Sequence, residues 1–254
     1  MSHLKIWDKF PKTDETYTKQ SKDGGRTLTS ITPVYMVKLA SEVLGAIGVG
    51  WGYTIVNERF DNGQPIILIE GNKSQGVLPT YMLDNGAIVW EKTHTVQIEM
   101  WIAGSEKTFA QFGHTKYSYM TKTGKYYIDH DYAKKSVTDA MTKCLSLLGV
   151  CSDVYMGQFD DVGYKQVAKL EHDLEKANKT DEIYAEKISE LKEFVKVQAV
   201  QISLCPTIDA MRKVYRIVSG RINREAPIIN LDPALEMLPV DNAFHEQEKI
   251  LKGT

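Results

Sequence analysis

The sequence predicts an α+β protein: a twisted antiparallel β-sheet of three to five strands with helices packed on one face, then a small C-terminal helical region. Three observations predict it. Residues 93–100, T-H-T-V-Q-I-E-M, alternate polar with apolar, as a half-buried strand does. Val137, Met141, Cys144, Leu145 and Leu148 recur at spacings of three and four, the repeat of one helix face. From residue 164 to about 204, Lys, Glu and Ala dominate, and Ile183, Ile188, Leu191, Phe194, Val195 and Val197 supply an apolar stripe.

The elements follow in order. Residues 1–30 are polar and threonine-rich, with Gly24-Gly25, and read as an N-terminal arm. Thr32 and Pro33 open the first helix as cap and first-turn residue. Val34, Val37, Leu39, Val43 and Leu44 give that helix a buried side. Gly45, Gly48, Gly50 and Gly52 end it, at least one of the last three at positive φ, and Gly50-Trp51-Gly52 leads into a strand over 53–58. Residues 66–70, 87–101 and 107–119 are rich in β-branched and aromatic side chains and read as strands. Asp61-Asn62-Gly63, Asp84-Asn85-Gly86 and Ala103-Gly104-Ser105 are turn signals, the last in a hairpin. Asp129-His130-Asp131 marks a strand-to-helix junction with Asp131 as N-cap. Thr180 and Thr207 cap later helices, the second running 208–219 and ended by Gly220. The reading gives a core over 1–165, a helical region over 166–226 and a partly disordered tail over 227–254.

Composition narrows the function classes. At 254 residues, one core plus an appendage is expected. The net charge of −2 gives no global basic signature, so a nucleic-acid partner requires a local patch. Residues 106–143 hold seven lysines against four acids. Three cysteines, an odd number with no C-x-x-C pair, indicate free buried thiols in a reducing compartment. Residues 1–12 lack an apolar signal segment, and 31–56 is broken by Lys38, Glu42 and glycines. The expected location is therefore the cytoplasm, away from membranes. A phosphate-binding Walker pattern is absent, which argues against ATP-driven strand exchange.

Two constellations carry candidate chemistry. Lys134, Lys135, Thr138 and Lys143 lie off the apolar face of the 133–149 helix, where lysines reach phosphates or form a solvated face. Asp129, His130 and Asp131, with His94 and His114, offer metal-ligating groups, but no H-x-x-x-H spacing accompanies them. Trp51, set between glycines, reads as a core residue before a base-stacking one.

The run A-K-K-S-V-T-D-A-M-T-K-C-L-S-L-L-G over 133–149 resembles the signature helix of the Rad52-like single-strand annealing protein family. L-A-S-E-V-L-G-A-I-G-V-G-W-G-Y over 39–53 is similar to that family's helix leading into its first strand, and F-G-H over 112–114 to its Gly-rich strand. The opening over 6–19 looks like phage-encoded members, and the resemblance covers about residues 6–165. It implies ATP-independent binding and annealing of single-stranded DNA in recombination and repair, with no enzyme activity, no cofactor and no metal. It also implies a ring or helical homo-oligomer, whose C-terminal helices recruit a nuclease or a single-strand-binding protein. Lys134, with Lys135 beside it, matches the family's basic segment, and Lys143 matches one of two basic residues after the T-D pair. Thr142 and Ser146 stand where that pattern has basic residues. Tyr35 stands where an early arginine is expected, with Lys38 one turn on as the substitute. Lys116, Lys122 and Lys125 fall where the family has a second basic set. Asp139 is expected to orient the lysines or cap a neighbouring element. The alternatives are a metal-dependent nuclease and a single-strand-binding protein that does not anneal.

Overall fold

A computed structural model describes residues 5–23 and 26–253. The chain divides into two compact units. Unit 1 is Met1–Pro11 with Ser30–Tyr155, and unit 2 is Lys12–Thr29 with Met156–Thr254. The division therefore falls ten residues before the boundary expected at 165, and most of the expected N-terminal arm groups with the C-terminal helices.

Strands β1 (Thr18–Asp23) and β2 (Arg26–Ile31) form a two-stranded sheet. Helix α1 (Pro33–Leu44) follows, with Pro33 at its first position. Thr32 stands at the N-cap but its side chain makes no capping bond. The buried side of α1 is Tyr35, Met36, Leu39 and Ala40, whereas Val34 is 75% exposed. Of the face expected from the sequence, Leu39 is buried and Val37 and Leu44 pack against the core, while Val34 faces outward and Tyr35, Met36 and Ala40 complete the buried side. Gly45 and Gly48 both take positive φ, at 97° and 83°, as expected of at least one glycine here.

Unit 1 is an α+β structure with an antiparallel sheet and helices packed against it. The sheet order is β10-β9-β8-β3. Strand β3 (Trp51–Pro65) pairs antiparallel with β8 (Trp90–Ile102) from Trp51 opposite Ile102 to Pro65 opposite Trp90. Asp61-Asn62-Gly63 is not a turn: it continues β3, with a register shift between Asn62 and Pro65 as there is between Ile55 and Asn57. Thr93 and Lys92 opposite Asp61 and Asn62 hold it in the ladder. The chain reverses later, through β4 (Ile67–Ile69) paired with β5 (Thr80–Tyr81), then β6 (Leu83–Asp84) paired with β7 (Ala87–Ile88). Asn85 and Gly86 both have positive φ between β6 and β7, the geometry a two-residue hairpin needs.

The period-2 pattern of β8 sorts its side chains. His94, Val96, Ile98 and Met100 are fully buried. Val96, Ile98 and Met100 join Tyr35, Met36, Leu39 and Trp51, and Ala140, Cys144 and Leu145 of α2 (Tyr132–Leu147), in one core. Trp51 is 0% exposed, so it is a core residue. Its indole N–H is buried without a partner among the described residues, a cost of about 1–3 kcal/mol. The short helix α3 (Ser152–Tyr155) ends the unit.

Unit 2 packs α4 (Val162–Lys176), α5 (Asp181–Ser203), α6 (Ile208–Glu225) and α7 (Pro233–Lys252) around Leu170, Leu174, Leu191, Val195, Ile202, Met211, Val218, Ile222 and Val240. Thr207 caps α6 by accepting from the Ala210 N–H. Gly220 does not stop α6, which runs on to Glu225. The segment expected as a disordered tail is α7 for most of its length. Asp232 accepts from the Ala234 N–H, Pro233 starts the helix, and Met237, Val240, Ala243 and Gln247 form a buried stripe. Residues 12–14 are pinned to α4. Lys12 pairs with Glu171 at 2.6 Å, the His172 Nε2–H donates to the Lys12 carbonyl at 2.6 Å, and Asp14 pairs with Lys176 at 2.8 Å. Burial of the Asp14 carboxyl works upward on its pKa, but bonds from Lys176 and from Thr16 outweigh it and hold it at about 2.

No helix of the described residues is long and apolar enough to cross a membrane. The three cysteines form no disulfide and are buried, and burial pushes the Cys144 thiol up to about 11.

Candidate nucleic-acid interface

A short hairpin gathers part of the expected basic set. Strands β9 (Phe109–Met120) and β10 (Tyr126–Ile128) are joined by a turn over 121–125. The Thr121 N–H donates to the Lys125 carbonyl at 2.8 Å, the Lys125 N–H donates to Thr121 Oγ1 at 3.0 Å, and Gly124 takes positive φ. Lys122 and Lys125 are exposed on this turn. Register places Tyr127 opposite Tyr119, and their rings meet edge to face at 5.6 Å. The Lys116 ammonium lies 5.3 Å from the centre of the Tyr119 ring.

The first turn of α2 continues the surface. Lys135 pairs with Asp129, which also accepts from the Asp131 N–H at 3.0 Å. The hydrogen bond to Asp129 raises the Lys135 pKa, and the Tyr127 phenol adds to the rise. The same hydrogen bond from Lys135 lowers the Asp129 pKa. Asp131 occupies the N-cap position but makes no side-chain capping bond; Asp129 organises the junction instead. Lys134 is exposed and has no carboxylate at ion-pair distance among the described residues. Lys116, Tyr119 and Tyr127 thus form one chain of neighbours, with Lys122 and Lys125 on the hairpin turn and Lys134 and Lys135 in the first turn of α2.

Lys143 is placed differently. Its ammonium meets Asp139 at 2.8 Å and the Phe112 carbonyl at 3.1 Å. Asp139 in turn accepts from the His114 N–H at 3.0 Å. The outer edge of β9 therefore finds its partners on α2: one lysine takes a strand carbonyl and one aspartate a strand N–H. Gly113, between them, makes the approach possible, since a Cβ there would stand 1.9 Å from the Ser136 carbonyl oxygen. Lys38 sits exposed on α1, facing Glu42 at 3.7 Å.

Beside the first turn of α2, Phe60, His94, Tyr117 and Tyr132 pack ring against ring, with centroids 4.8–5.5 Å apart. His94 is buried between Glu58 Oε1 at 2.9 Å and Ser136 Oγ at 3.0 Å. With the Nε2–H donating to Glu58, Nδ1 accepts from the Ser136 hydroxyl. His114 is turned the other way. Its Nδ1 meets the Thr95 hydroxyl at 3.1 Å, and Thr95 and His94, adjacent on β8, point to opposite faces. The two histidines of the metal reading are therefore separated by the sheet, and no group of three metal-ligating side chains occurs among the described residues.

The tyrosines were not anticipated. The signal was present: Y-S-Y-M-T-K-T-G-K-Y-Y-I places tyrosines on both sides of a Lys-Thr-Gly turn, so a hairpin pairs them. Lysines that neutralise phosphates, interleaved with rings that stack on bases, are what a single strand requires. Such a surface needs no bond-making group. Comparison of this chain with protein-family models, with curated proteins and with solved structures finds no match.

Proposed function

We propose that unit 1 binds single-stranded DNA across the β9–β10 hairpin and the first turn of α2, and that it anneals complementary strands as a member of the Rad52-like class. The observation that carries this reading is the run of neighbours Lys116–Tyr119–Tyr127, with the exposed Lys134 having no carboxylate at ion-pair distance among the described residues. The lysines take phosphates, and the exposed Tyr127 with the partly buried Tyr119 takes base faces. Annealing then requires only that bound strands keep their pairing edges outward, so neither ATP nor a metal enters. In this reading the protein works as a homo-oligomer. Strand β3, one of the two edge strands of the sheet, with Ile55, Val56 and Phe60 about half-exposed, supports that assembly. The unit 2 helices take the partner-recruiting role.

The test is strand pairing with labelled complementary oligonucleotides, in excess chelator and without ATP. The protein is expected to accelerate pairing, and the Tyr119→Ala/Tyr127→Ala variant to lose about 1–3 kcal/mol of single-strand affinity per stacked base. No acceleration by the unaltered protein, or full affinity in the double variant, would sink the reading.

A further inference from the structure

Unit 2 contains a cationic stripe that the partner-recruiting role does not use. Helix α5 carries five acids (Asp181, Glu182, Glu186, Glu190, Glu193) against three lysines. Helix α6 reverses that balance with Arg212, Lys213, Arg216, Arg221 and Arg224 against Asp209 and Glu225. Two of the five cations are committed. Arg221 bonds both oxygens of Glu225, at 2.9 and 3.0 Å, and Arg212 faces Asp209 and Glu248. Lys213, Arg216 and Arg224 are exposed and have no ion-pair partner among the described residues. Their spacing of three and eight residues keeps them on one side of the helix over about 16 Å of its axis. A favourable interaction with the helix C-terminus accounts for Arg224, in the last turn, but not for Lys213 and Arg216 in mid-helix.

The stripe ends at an open cavity of about 580 Å³, within the range of small-ligand sites. Arg224 forms part of its wall, and two glycines make room for that side chain. A Cβ at Gly163 would lie 2.5 Å from the guanidinium carbon, and one at Gly220 3.2 Å from Nη1. Tyr164, Val167 and Ile228 supply apolar lining, and Gln158 a hydrogen-bonding group. Of the two carboxylates at the cavity, Glu171 is paired with Lys12, and Asp161 caps the Tyr164 N–H at 2.9 Å while keeping its charge toward solvent. An aromatic and aliphatic wall, an amide and a free guanidinium suit a base with its phosphate. The stripe then follows the strand beyond it.

We propose that unit 2 holds a second single-strand contact: one nucleotide in the cavity against Tyr164, with Arg224 on its phosphate, and the adjoining backbone along Arg216 and Lys213. The choice of a nucleic acid over an acidic peptide rests on the function proposed for unit 1; the stripe and cavity do not.

The full chain is photo-cross-linked to an oligothymidylate carrying 5-iodouracil, and the modified peptides are mapped. Cross-links at Tyr164 together with Tyr119 or Tyr127 are expected. Cross-links in unit 1 alone overturn this inference and leave the unit 1 reading standing. Cross-links at Tyr164 alone do the reverse, and none in either unit overturns both. In parallel, the Lys213→Ala/Arg216→Ala/Arg224→Ala variant should lower the slope of log affinity against log salt by about 2, three contacts at about 0.7 each. The triple Lys/Arg exchange at these positions should keep it. An unchanged slope, with labelled poly-glutamate binding that the alanine variant abolishes, would make an acidic peptide the occupant and refute the proposal.

Discussion

The first and third turns of α2 carry lysines that look alike in sequence and do opposite work. Lys134, in the first turn, is exposed with no carboxylate at ion-pair distance among the described residues. Lys143, in the third, is spent on the Phe112 carbonyl and on Asp139, which itself holds the His114 N–H. The difference comes from what lies beneath each turn. From Ser136 to Lys143 the helix crosses β9 at Phe112–His114, where the Phe112 carbonyl and the His114 N–H take partners from α2. The first turn passes beside a hairpin whose backbone is already paired. A resemblance that carries both lysines to DNA therefore merges a clamp, Lys143, with the contact proposed for Lys134.

The clamp can be broken at its closest point. Gly113→Ala puts a methyl 1.9 Å from the Ser136 carbonyl oxygen if nothing moves, so α2 must lift from β9. A loss of about 3 kcal/mol is expected, read as a lower urea midpoint. An unchanged midpoint would mean that α2 does not press on this strand.

A more buried clamp in unit 2 sharpens the contrast. Asp14 is 6% exposed and bonds Lys176 and Thr16. Its carboxyl titrates at about 2 when folded, below its ordinary 3.8. The contribution is present above about pH 4 and is lost as pH falls through 2, because only the folded form resists protonation. Asp14→Asn should cost about 2 kcal/mol near neutrality. Between pH 4 and 2 the variant should lose less stability than the parent. Parallel acid unfolding curves would contradict the assignment.

How much of this was legible in the sequence follows from what local pattern encodes. The alternation at 93–100 and the apolar repeat from Val137 to Leu148 report one residue's burial against the next, so β8 and α2 emerged near their places. Asn62-Gly63 misled because a turn signal gives way to a long ladder that holds its flanks. The tail became α7 because its stripe, Met237, Val240, Ala243 and Gln247, finds a core that no local window displays. At the candidate site, seven lysines were visible as a set. Their sorting was not: it depends on Asp129, Asp139 and the β9 edge, which approach only in three dimensions. Tyr119 and Tyr127 are eight residues apart, and only the hairpin register makes them one surface.

The smallest stability effect belongs to Lys143→Ala. It removes one exposed ion pair and one bond to a carbonyl, about 1 kcal/mol, and should leave DNA binding unmoved. Lys116→Ala/Lys134→Ala should do the reverse. The most direct test of the account is the salt dependence of oligothymidylate binding by these two variants beside the parent. The account predicts that the double variant lowers the slope of log affinity against log salt by about 1.4, two phosphate contacts at about 0.7 each, with an unchanged urea midpoint. Lys143→Ala should keep the parent slope and lose stability. A full slope in the double variant, with the loss appearing in Lys143→Ala instead, would place the strand on the third turn of α2 and contradict it.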